Sequence, residues 1–216
     1  MYQPPHFREQ RLDVLHDLIR AHPLGLLVTA GPQGPVADPL PFLLDVDRGG
    51  NGTLRAHLSR ANPHWRLIVD RPQRPVLAVF QGANAYVTPS WYATKRETGK
   101  VVPTWNYAIV QARGRPAIIE DRDWLARQIG DLTRMHEDHR AEPWAVSDAP
   151  QRFVDAQIGG IVGLEIEIAS IEGKWKVSQN RSEVDRLGVA AGLESETAPD
   201  AQKVAGLVRA HSRREG

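Results

Sequence analysis

Leu12, Leu15, Leu18 and Ile19 recur at the spacing of one helical face within residues 8–21, and Pro23 with Gly25 stops the run. The period then shortens. Apolar segments of a few residues, each closed by turn residues, predict strands at 24–30, 36–45, 53–58, 75–81, 85–88, 105–113 and 115–120. Pro39 and Pro41 assign the second of these to a sheet edge or a bulge, because proline cannot donate to a ladder. Gly114 reads as a bulge between the last two. Helical spacing returns at 121–140, through Trp124, Leu125, Ile129, Leu132 and Met135, and a short helix follows at 149–157. Residues 162–171 alternate as a half-buried strand, with Glu165 and Glu167 expected to be solvated. From 182 on, two amphipathic helices flank the polar stretch 194–200. Many short strands with frequent turns give an α+β, mainly β architecture, a barrel or sandwich with helices at its periphery. The expected division is a β domain at 1–181 and a helical extension at 182–216.

Charge narrows the function. Lys and Arg number 27 against 26 Asp and Glu, a formal net charge of +1. A dedicated DNA-binding domain carries a clear basic excess, so a DNA role would rest on a local patch or a partner. The absence of cysteine excludes disulfides, cysteine-ligated zinc, iron–sulfur clusters and thiolate nucleophiles. The first seven residues lack the basic-then-apolar pattern of a signal peptide, and no apolar run approaches the roughly 20 residues that span a bilayer. The expectation is a cytoplasmic protein without a membrane partner.

Two groups of residues carry candidate chemistry. In residues 54–65 a strand runs through a turn into a helix. Asn62 is a good N-cap and Pro63 suits the first helical position. His57, Ser59 and Arg60 stand just before a helix start, able to donate hydrogen bonds to a phosphate; the same residues also describe an ordinary capped helix. The second group is aromatic: residues 86–92, 102–107 and 173–180 contain Trp91, Trp105 and Trp175, half of the six tryptophans, among amides and hydroxyls. Such a mixture suits a flat heteroaromatic ligand with polar edges, or a dimer interface, or both at once. His136 and His139 lack the spacing of a zinc motif and read as surface histidines. The basic end at 209–214 could touch DNA phosphates but reads as a frayed helix terminus. No nucleophile stands out for a Ser/His/Asp triad, and no catalytic or metal-binding residue is assigned.

Longer words in a fixed order then narrow the field. Met1-Tyr2-x-Pro4-x-His6-Phe7, Pro39-Leu40-Pro41-Phe42, residues 57–63 (HLSRANP), Tyr86-Val87-x-Pro89-Ser90-Trp91-Tyr92, residues 102–107 (VPTWNY) and Lys174-Trp175-Lys176-x-Ser178-Gln179-Asn180 span nearly the whole chain. Together they resemble the PaiB family, FMN-binding negative transcriptional regulators. The resemblance implies an FMN-binding split β-barrel related to pyridoxamine-phosphate oxidase-like flavoproteins, working as a homodimer with each flavin in a cleft between subunits. It also implies site residues. His57, Leu58, Ser59, Arg60 and Asn62 would grip the phosphate and ribityl chain. Leu40, Pro41 and Phe42 would offer backbone to the ring edge. Trp105, Asn106, Lys174, Trp175, Gln179 and Asn180 would close the site. Two functions remain open: a flavin-binding regulator, or a flavin-dependent oxidoreductase or haem-modifying enzyme, for which FMN itself would be the reactive group.

Overall fold

Leu54, Ala56 and Leu58 face Ile166, Leu164 and Val162 across an antiparallel ladder, and all six side chains are buried. Each directly opposed apolar pair adds about 0.2–1 kcal/mol over an alanine pair. The structure, a computed structural model, describes residues 1–212. The part of the basic end at Arg213 and Arg214 lies outside the described residues.

In chain order the elements are β1 (Arg8–Glu9), α1 (Leu12–Ala21), β2 (Leu24–Gly31), β3 (Gly34–Pro41), β4 (Leu43–Asp45), β5 (Thr53–Ser59), α2 (His64–Val69), β6 (Val76–Val87), α3 (Thr94–Thr98), β7 (Thr104–Ile119), α4 (Arg122–Glu137), α5 (Gln151–Gly159), β8 (Ile161–Lys176), α6 (Glu183–Ser195) and α7 (Pro199–Ser212). The strand order is β3-β2-β6-β7-β8-β5-β4, and β1 pairs with β8 off this path. The chain divides into two compact units, one of residues 1–18, 81–110 and 172 onward, the other of 19–80 and 111–171.

In the second unit, β2 and β3 form a hairpin whose two-residue loop ends at Gly34, where φ is +125°. The expected single strand at 36–45 is two strands. The chain breaks at Phe42, and its halves lie at opposite ends of the strand order, β3 at one edge and β4 at the other. Pro39 thus sits on an edge strand, as its missing N–H requires. The Phe42 ring is buried edge-on against Phe80 at 5.4 Å, which anchors the crossing. Gly114 lies within a continuous β7 at a point of close approach: a Cβ there would stand 1.9 Å from the Glu167 carbonyl oxygen. Glu165 is not simply solvated. It accepts two bonds from Arg48, at 2.7 and 2.9 Å, and one from the Trp124 indole, at 2.9 Å, whose ring lies flat over Gly163. His136 and His139 are exposed on and just beyond α4.

The separate strands expected at 75–81 and 85–88 are one strand, β6, whose alternation changes phase between Gly82 and Ala83. Beyond that point Asn84 and Tyr86 point outward, while Val87 stays fully buried. Helices α6 and α7 pack on each other through Val189, Leu193, Val204 and Val208.

Candidate functional site

The β5–α2 turn belongs wholly to the second unit. Asn62 Oδ1 accepts the His64 N–H at 2.9 Å, and Ser59 Oγ accepts the Ala61 N–H at 3.2 Å, so both side chains close the turn, while Pro63 and not Asn62 is the N-cap of α2. Helix α2 has six residues, too short for a strong N-terminal dipole. Arg60 is half-exposed and already engaged: Nη1 donates to Glu120 at 2.6 Å and Nε to the Gly159 carbonyl at 3.1 Å. His57 stands on the face of β5 opposite the buried Ala56 and Leu58. Burial holds its imidazole below the ordinary histidine range, and Nδ1 is buried with no partner among the described residues. Leu40, Phe42 and Leu58 are core side chains, and the Phe42 N–H donates to the Pro23 carbonyl at 2.8 Å. Pro41, half-buried, ends β3.

Behind this turn is a hydrogen-bonded chain of three side chains, two buried and one half-buried, that sequence spacing does not reveal. Thr29 Oγ1 lies 2.6 Å from His64 Nε2, and His64 Nδ1 lies 2.7 Å from Asp38 Oδ2. In the neutral ring Nδ1–H donates to Asp38 and Nε2 accepts the threonine hydroxyl. Asn62 Nδ2 donates to the same Asp38 oxygen at 2.9 Å. These two bonds, Asn62 first and His64 second, hold the Asp38 carboxyl below its usual range. The order Thr–His–Asp matches a hydrolase triad. However, Thr29 is buried and the cavity beside it measures about 10 Å³, with no room for an acyl group. The chain is a brace that ties the β5–α2 turn to β3.

In the first unit, strand alternation sorts the other expected residues onto two faces. Asn106 is buried and its Nδ2 donates to Ser178 Oγ at 2.9 Å, while Trp105 turns outward and is half exposed. Ser178 has φ +68°, a left-handed conformation that costs a non-glycine residue about 1–3 kcal/mol. The bond from Asn106 offsets part of that cost. Gln179 closes the same turn, accepting the Val177 N–H at 2.8 Å and donating to the Trp175 carbonyl at 2.6 Å. Trp175 is core and Asn180 is exposed. These residues therefore shape the turn.

Lys174 differs from them. It is only 9% exposed, and no carboxylate pairs with it among the described residues. Its ammonium lies 5.5 Å from the centroids of both the Tyr2 and Tyr107 rings. It lines a cavity of about 430 Å³ together with Tyr2, Gln81, Tyr107 and Ile109. Two residues on, Lys176 donates to Thr104 Oγ1 and the Trp105 carbonyl. Burial, then repulsion from Lys174 and Arg181, holds Lys176 below the ordinary lysine range. The segment is an electropositive, partly desolvated site suited to an anionic or electron-rich group. Tyr2, Tyr107 and Lys176 are not named individually among the expected site residues, although Tyr107 and Lys176 fall within the aromatic segments 102–107 and 173–180. The period-2 rule would have placed Lys174 and Lys176 on one face, but the choice of face needed the burial of Trp175.

Comparison with known proteins gives these features a context. The family described as "Putative FMN-binding domain" matches residues 1–170. An uncharacterized protein of Emericella nidulans is 35% identical over 242 residues, 97% of this chain and 96% of its own. Protease synthase and sporulation protein PAI 2 of Bacillus subtilis is 30% identical over 208 residues, 96% of each chain. Among solved structures, the flavocytochrome Anf3 from Azotobacter vinelandii superposes with a TM-score of 0.56 at 15% identity, over 78% of this chain and 69% of its own. The FAD and heme binding protein from Mycobacterium smegmatis gives 0.57 at 19%, over 78% and 73%. The shared fold is the split β-barrel.

Proposed function

This chain belongs to the FMN-binding domain family and is a relative of PAI 2, and from that premise we propose that it is a cytoplasmic PaiB-type regulator that works as an FMN-holding homodimer. Lys174 carries the reading. Its side chain is largely packed away, it lines a cavity, and two tyrosine rings but no carboxylate among the described residues stand near its ammonium, so a phosphate, or the electron-rich edge of a flavin, supplies the counter-charge. FMN, when bound, supplies a group that accepts and donates electrons. The protein's own part is to bind and orient it. Lys174 supplies charge, Tyr2 and Tyr107 supply flat apolar contact, and the Ser178 turn holds the end of β8 in place. In the second unit, taken by itself, the orphaned Nδ1 of His57 supports the polar contact expected from residues 57–62.

The homodimer is supported by the outward face of the β3-β2-β6 portion of the second unit. Leu26 pairs with Pro39 on one side and Val79 on the other, and Val28 pairs with Ala37 and Leu77. With Leu24 these make a continuous apolar face, on which Leu24 and Leu26 are 68% and 40% exposed. A second copy covering it excludes that surface from water.

The test of the cofactor reading is FMN titration of Lys174→Met. The expected result is affinity at least about tenfold weaker, the cost of one charged contact. Affinity equal to wild type removes Lys174 from the site.

A flavin-dependent oxidoreductase is the second reading, and one observation favours it. The C-terminal extension, residues 182–216, carries six carboxylates (Glu183, Asp185, Glu194, Glu196, Asp200, Glu215) against five basic side chains (Arg186, Lys203, Arg209, Arg213, Arg214), with no basic excess to match a phosphate backbone. Salt-sensitive retention of promoter DNA supports the regulator. Oxidation of reduced nicotinamide by the FMN-loaded protein, without DNA retention, supports the enzyme.

A further inference from the structure

Trp91, Trp105 and Tyr86 surround a cavity of about 400 Å³ in the first unit, floored by the buried Leu193. The Tyr86 and Trp105 rings meet edge to face, at 6.3 Å and 70°. Trp91 is fixed from behind. Its ring lies on Gly192 and its carbonyl against Gly188, one turn apart on α6, where a Cβ would stand 2.2 and 2.1 Å from it. A cradle of two glycines therefore sets the third wall of the cavity. The one charged residue that lines it is Glu196, just past the end of α6, and among the described residues no ion pair reaches its carboxylate. Among the described residues no lysine or arginine lines the cavity.

Aromatic faces present negative potential, and a cation held among them gains most when part of its water is removed. Three rings, one unpaired carboxylate and no positive side chain select against anions, and an apolar neutral molecule would leave Glu196 unused. We propose that this cavity binds a small organic cation, an alkyl- or aryl-ammonium group, with the charge held between the rings of Tyr86, Trp91 and Trp105 and the carboxylate of Glu196. The site is separate from the Lys174 cavity, whose charge is opposite, and does not depend on flavin binding there. A volume of about 400 Å³ falls in the range of small-molecule pockets. The outward Asn84 amide, also on the lining, offers a hydrogen bond to a polar end of the ligand.

Choline and its neutral isostere 3,3-dimethylbutan-1-ol probe the charge alone. They are titrated into the full-length protein with saturating FMN, following the tryptophan indole N–H signals by NMR and the visible flavin band in parallel. The expected result is saturable choline binding, about fivefold or more tighter than the isostere, with the flavin band unchanged. Glu196→Gln, an exposed position that leaves the core intact, should weaken choline about fivefold or more and leave the isostere as it was. Trp105→Leu should weaken choline as well. Four results overturn the proposal: no saturable choline binding at millimolar concentrations, equal affinity for choline and isostere, no effect of Glu196→Gln, or release of FMN by choline, which would make this cavity the flavin's own.

Discussion

Asp38 Oδ2 stands 2.7 Å from His64 Nδ1, and through this bond a half-buried carboxylate on an edge strand holds a wholly buried imidazole at the start of α2. Its titration should be visible in stability. The folded-state pKa of Asp38 is depressed, by the Asn62 amide first and by His64 second. The contribution is therefore complete above the ordinary aspartate range, near pH 4, and is lost as pH falls through the lower folded value. Asp38→Asn should cost about 1 kcal/mol at pH 7, since the carboxylate keeps some solvent contact. In urea unfolding series the gap between wild type and variant should close below about pH 4. A gap that stays constant down to pH 2.5, roughly, would mean that Asp38 acts by shape and not by charge.

Arg60 donates to Glu120 where the sequence reading expects a phosphate. An ion pair this exposed contributes about 0–1 kcal/mol, whereas a charged bond to phosphate contributes about 1.5–3 kcal/mol, so a bound phosphate can draw the guanidinium away. Arg60→Ala should weaken FMN about ten- to a hundredfold and leave riboflavin, which lacks the phosphate, nearly unchanged. Glu120→Gln should strengthen FMN slightly. If Arg60→Ala stays within about twofold of wild type for FMN, the arginine is only the partner of Glu120.

Leu26 is the centre of the apolar face of the β2–β3 hairpin and pairs across the sheet on both sides. Leu26→Asp should leave the circular dichroism spectrum intact and convert a dimer to a monomer in analytical ultracentrifugation at micromolar concentration. A wild type that sediments as a monomer while holding FMN contradicts the homodimer.

Two glycines separate close approach from mere helix propensity. At Gly114 a Cβ would collide with the Glu167 backbone, which cannot rotate away as a side chain can. Gly114→Ala should destabilise by about 1–3 kcal/mol or more. Gly206 lies in α7 with nothing within 4 Å of a Cβ. There the same substitution should stabilise by about 1 kcal/mol. Equal effects at both positions in thermal unfolding would place Gly114 in open space.

Local pattern determined much of this protein. Helical spacing and turn residues located α1, α4, α5, α6 and α7, and alternation located most strands, because these signals lie within a few residues of one another. The mainly β class followed from the many short strands and frequent turns, and the family likeness from words such as residues 57–63 and 102–107. Only the tertiary structure decided where the pieces of strand lie. Residues 36–45 look continuous in hydrophobicity, but a break at Phe42 sends the two halves to opposite edges of the sheet. Why residue 114 has to be glycine shows only once the backbone of β8 is placed beside it. Partnership was equally hidden. Arg60 and Glu120 are 60 residues apart, Thr29 and His64 are 35, and nothing local marks them as neighbours. Strand alternation could predict that Trp105 and Asn106 face opposite ways. Which face is core depends on the burial of whole layers, a property of the packed sheet and not of any window along the chain.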